Sequence, residues 1–175
     1  MGRLYEKNKI IHLNPIAILE QNQIAGCTMV FDGFLKRQLD LNQPSKELLA
    51  NRIHDVWVAM VASLFDSIIY DERAFIKYRQ HDDVVGAYAY GMKYDIKSKI
   101  MKIRNKEQRS GRSLLAKMVY KYWPEIVCQD RVLFAAANAN KMKNKCALIA
   151  NVQKLRFYSK ESTGGLILKI LFGFF

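Results

Sequence analysis

Two short clusters carry the residue types that move protons or hold phosphates. The first is His54-Asp55, which stands directly ahead of an apolar run over 56–65, with Gly26, Cys27 and Thr28 upstream of it. A carboxylate at a helix N-terminus stays ionised at neutral pH, as a general base must. The same aspartate is also an ordinary N-cap, accepting hydrogen bonds from free helix amides. The second cluster is Tyr78-Arg79-Gln80-His81. An arginine there suits a phosphate, and a histidine suits a phosphate or a metal ion, whereas the plain alternative is a surface arginine and a loop histidine. Glycine at position 26, inside a β-prone run, marks a bulge or a close approach by a ligand.

These clusters need elements to position them. Residues 25–31 read as a strand and 33–39 as a short helix. Turn formers fill 40–52, with Pro44-Ser45 placed to cap a helical turn over 46–50. The run 56–65 is apolar on every face, which predicts a buried helix with Asp55 at its N-terminus. Two further β-like runs, 67–70 and 75–79, complete a pattern that predicts an α/β fold built on a mixed sheet.

From Tyr88 onward the pattern is helical. Residues 88–123 read as one or two helices broken near Ser110-Gly111. Pro124 suits the first position of a helix running to about Asn138, and 141–158 reads as helix as well. The apolar tail over 164–175 is about half of the roughly 20 residues that a membrane span requires. It suits docking on the protein or lying in a membrane interface.

The chain is strongly basic, with 28 Lys and Arg against 16 Asp and Glu and a formal net charge of +12. Nine basic residues and one acidic residue, Glu107, lie between Lys97 and Lys121. Such a field favours polyanions or an anionic membrane face. No nucleic-acid-binding signature accompanies it, so no specific nucleic acid is expected. Cys27, Cys128 and Cys146 form no Cys-x-x-Cys pair, which leaves a zinc ribbon or thioredoxin-like site unsupported and fits reduced thiols in a cytosolic protein.

Taken in order, Gly-Cys-Thr-Met-Val-Phe at 26–31, His-Asp-x-Trp at 54–57, the apolar helix, Ile-Ile-Tyr-Asp-Glu at 68–72, Tyr-Arg-Gln-His at 78–81 and Val-Val-Gly-Ala at 84–87 resemble one family. It is the rhamnosyltransferase-like branch of the family-2 glycosyltransferases, which have the GT-A fold. The resemblance implies that residues 1–87 are the acceptor-side half of a GT-A domain and 88–175 a basic helical C-terminal extension. It implies Asp55 as the catalytic base of an inverting transfer. Gly26, Cys27, Thr28, His54 and Trp57 would line the acceptor site, with plain core packing the alternative for Trp57. Arg79 and His81 would bind the donor's diphosphate, His81 helping to hold a divalent cation, Mg or Mn.

The implied partners are a nucleotide-sugar donor and a lipid-linked saccharide acceptor for surface polysaccharide synthesis, at the cytoplasmic face of the membrane. The family's Asp-x-Asp metal motif has no counterpart in these residues. The expectation is therefore a truncated or split transferase that is inactive alone. The alternative is a non-catalytic basic module, derived from such an enzyme, that binds a membrane or a protein.

Overall fold

The computed structural model describes residues 11–21, 24–51, 54–71, 73 and 111–175. Helix α1 (Pro15–Glu20) starts where Asn14 accepts a hydrogen bond from the Ala17 amide, with Pro15 preset for the first turn. A 3₁₀ turn (Gly26–Thr28) follows. Asp32 caps α2 (Gly33–Leu41) through the Leu35 amide. Ser45 caps α3 (Lys46–Asn51) by accepting from the Leu48 amide at 3.1 Å, as the Pro44-Ser45 pair predicts. Helix α4 (His54–Leu64) is the apolar run, and it is buried along nearly its whole length.

The C-terminal part contains α5 (Gly111–Tyr122), α6 (Pro124–Gln129), α7 (Arg131–Ala137), α8 (Met142–Ala150), α9 (Val152–Tyr158) and α10 (Thr163–Phe172). Pro124 takes the first position of α6, as expected. The predicted single helix to Asn138 is divided at Asp130, whose extended backbone lets its carboxylate accept from the Val132 and Leu133 amides and start α7. The predicted helix over 141–158 is likewise divided at Asn151.

One apolar core joins the two parts. Ile16, Ile18 and Leu19 of α1 pack with Met60 and Val61 of α4, Leu115 and Val119 of α5, Leu133 of α7 and Leu155 of α9. Residues on both sides of the expected boundary at 87/88 therefore contribute to it. An aromatic column reinforces the junction: Phe34 meets Phe65, Phe65 meets Trp123, and Trp123 lies 6.0 Å from Trp57.

The α/β expectation is overturned. Among the described residues the fold is all-helical, with no strand and no sheet. Of the three runs expected as strands, 26–28 forms a 3₁₀ turn and 67–70 is irregular, while 75–79 lies outside the described residues. The composition of a strand does not make one, because the backbone groups need a ladder partner. Alternate apolar side chains of these runs also stay in solvent: Val30 is 100% exposed and Ile69 96%, while Met29 and Ile68 are partly buried against the core.

Candidate functional site

The clearest convergence of chemistry is where the 3₁₀ turn meets the first turn of α4. The Gly26 amide donates to Asp55 Oδ2 at 2.9 Å, bridging 29 positions of sequence. The approach requires glycine: a Cβ at position 26 would lie 2.6 Å from Asp55 Oδ1 and 2.9 Å from its Cγ. His54 Nε2 stands 2.7 Å from Asp55 Oδ1, while the imidazole is mostly in solvent and the carboxylate is 12% exposed. That imidazole contact is close but not aimed, since Oδ1 accepts no aligned hydrogen bond among the described residues. One carboxylate oxygen is thus held by a backbone amide, and the other is covered, with the His54 imidazole beside it.

The structure therefore gathers Gly26, His54 and Asp55 in one place. Cys27 and Thr28 continue the same turn on the exposed side, where the Thr28 hydroxyl donates to the Ala25 carbonyl at 2.7 Å. Trp57 points elsewhere. It is buried in the aromatic column against Tyr122 and Trp123, so packing is what it does, and its indole N–H has no acceptor among the described residues. Arg79 and His81 lie outside the described residues.

Two surface hollows lie near α4. One is lined by Ile69, Tyr70, Asp71 and Arg73, the other by Leu13, Asn14, Ser63, Asp66 and Ile68. Neither is lined by Asp55. In the first, Arg73 grips Asp71 through two side-chain nitrogens, at 2.9 and 2.7 Å. Those hydrogen bonds hold the Asp71 carboxyl down at about 2.

A metal fits the described residues poorly. Among them no three His, Cys, Asp or Glu side chains gather as a ligand set, and His81 lies outside them. The three cysteines are exposed and unpaired.

A charged cluster that no sequence motif announces runs from the interior to the surface. The Glu20 side chain is fully buried, and Arg112 Nη2 lies 3.0 Å from its Oε2. The same nitrogen donates to Glu161 Oε1 at 2.7 Å, and Lys169 holds Glu161 Oε2 at 2.7 Å. Burial alone pushes the Glu161 carboxyl up, but the hydrogen bonds from Lys169 and Arg112 outweigh it and hold the group below the usual glutamate range. The Arg112 guanidinium also faces the Phe175 ring, 5.4 Å from its centroid, and the Ser113 amide donates to the Phe175 carbonyl. The cluster ties α1, α5 and α10 together. Its members are so far apart in sequence, 49 positions between Arg112 and Glu161, that no local pattern could have signalled it.

The comparisons add no family: no protein-family model, no curated protein and no solved structure matches this chain.

Proposed function

We propose that the chain supplies the acceptor-side part of an inverting, nucleotide-sugar-dependent glycosyltransferase, with Asp55 as its base, and needs a donor-binding partner for activity. The observation that carries this reading is the Gly26–Asp55 hydrogen bond, because it joins two motifs that the family resemblance assigns to one acceptor site. In the transfer step an acceptor hydroxyl gives its proton to Asp55 Oδ1. Its oxygen bonds to the anomeric carbon from the face opposite the leaving group, and the bond to the nucleoside diphosphate breaks. Before the acceptor arrives, the Gly26 amide holds the carboxylate in place through Oδ2.

Oδ1 is covered in the resting arrangement, so the acceptor reaches it when the Gly26–Thr28 turn swings aside. Reaction therefore needs motion of that turn as well as the donor site. The lack of an Asp-x-Asp motif in these residues is why the donor's diphosphate must be held by the partner.

A second reading, a non-catalytic basic module, is favoured by two observations: the all-helical described residues and the covered Oδ1. One experiment separates the two. The chain is mixed with a donor-binding polypeptide carrying an Asp-x-Asp motif and supplied with nucleotide-activated deoxyhexoses. Sugar transfer that requires both chains and is lost in Asp55→Asn supports the transferase. Absence of transfer in every mixture supports the module.

A further inference from the structure

Helix α10 is apolar on two sides. Leu166 and Ile170 turn inward and are buried together with Phe175. The opposite stripe carries Leu168, Leu171 and Phe172 at the i, i+3, i+4 spacing of one helical face, and it faces solvent, with Leu168 56% and Phe172 68% exposed. Phe174 stacks on Phe172 and extends the patch. Ordering these residues is itself a built feature. Gly173, at φ +73°, closes the helix, its amide donating to the Ile170 carbonyl while the Phe174 amide donates to the Lys169 carbonyl at 2.7 Å.

The rim of the patch is basic. Lys145 of α8 donates from Nζ to the Leu171 carbonyl at 2.7 Å, which places the N-terminal turn of α8 beside the patch. Lys141 and Met142 precede Lys145 by one helical turn and share its face, and both are exposed. The Lys169 ammonium is already paired with Glu161, so the rim's charge comes from α8.

We infer that this face docks onto an anionic phospholipid bilayer, with α10 lying in the plane of the interface. Charge complementarity selects that occupant. A second copy of the chain would bring the same lysines against these, because a symmetric contact apposes identical patches. Anionic headgroups instead meet the lysines while acyl chains receive Leu168, Leu171 and Phe172. Length gives the orientation: ten residues of helix are about 15 Å long, roughly half the hydrocarbon thickness. In agreement, no helix among the described residues is long and apolar enough to cross a membrane. The inference stands independently of the transferase reading.

The test is co-sedimentation of the full chain with vesicles of equal parts phosphatidylglycerol and phosphatidylcholine, and with phosphatidylcholine alone. Binding is expected to the anionic vesicles only and to weaken as salt rises. The double variant Leu168→Gln, Phe172→Gln changes exposed positions, so its helical circular dichroism and melting should match the parent. It should bind at least about tenfold more weakly, given the transfer free energy of such side chains. Lys141→Gln should weaken binding to anionic vesicles about fivefold. Three results would overturn the inference: equal binding to both vesicle types, undiminished binding of the double variant, or no vesicle binding together with a concentration-dependent dimer that the double variant abolishes.

Discussion

Replacing Gly26 by alanine perturbs the contact on which the candidate site rests. The added Cβ would stand 2.6 Å from Asp55 Oδ1, so the carboxylate must retreat by about 0.8 Å to reach the 3.4 Å of ordinary contact. Asp55 sits at the start of a packed helix and has little room to retreat. The displacement stretches the 2.9 Å bond from the Gly26 amide beyond useful length. A hydrogen bond to a charged acceptor contributes about 1.5–3 kcal/mol, which sets the expected cost of Gly26→Ala near 2 kcal/mol. The control is the same change in an Asp55→Ala background. There the obstructing atoms and the acceptor are both gone, and Gly26→Ala should cost under about 0.5 kcal/mol. Urea unfolding of the four proteins gives the coupling directly, with about 1.5 kcal/mol expected. Additivity within about 0.3 kcal/mol would refute the claim that Gly26 and Asp55 act as a pair.

Three further outcomes follow from the interior charges and the end of α10. Arg112→Met removes the guanidinium that faces the fully buried Glu20 carboxylate and should cost about 3 kcal/mol in denaturant unfolding, with part of that loss recovered by adding Glu20→Met. Glu161 has a carboxyl held below its ordinary value, so its stabilising contribution is complete above the unfolded value of about 4.3 and is lost as pH falls through the lower folded value. Glu161→Gln should therefore flatten the acid limb of a Tm-against-pH curve and leave the curve's shape near neutral pH unaltered. Gly173→Ala forces a Cβ into the left-handed region with nothing nearby to clash, so the penalty is conformational alone and should be about 1 kcal/mol by thermal melts.

The local signals in the sequence were those with a short-range physical cause. Pro44-Ser45 caps α3, Pro124 opens α6, and the all-round apolar run 56–65 gives the buried α4 with Asp55 in its first turn, because each depends on residues within one or two turns. The break at Asp130 was legible too, since an aspartate ahead of an apolar run is an N-cap pattern, but the continuous helical composition on both sides masked it. The strands at 25–31 and 67–70 failed for a non-local reason: a β-prone run becomes a strand only beside another, and pairing is not written in the run itself. At the site, the order of Gly26 and His54-Asp55 in the sequence placed both in one cluster, and the hydrogen bond between them agrees. The same spacing left Trp57 open between a sugar-facing wall and the core. Only the partners supplied by Tyr122 and Trp123, far along the chain, decide for the core.

The measurement that bears most directly on the central claim is the transfer assay with Asp55→Asn. Asparagine keeps the side chain's shape and an oxygen for the Gly26 amide but cannot take a proton. With the donor-binding chain present, product formation should fall by a factor of about 100 or more, the size of general-base catalysis, while the variant's unfolding stays near that of the parent. Transfer at the parent's rate by a folded Asp55→Asn protein would show that Asp55 is not the base.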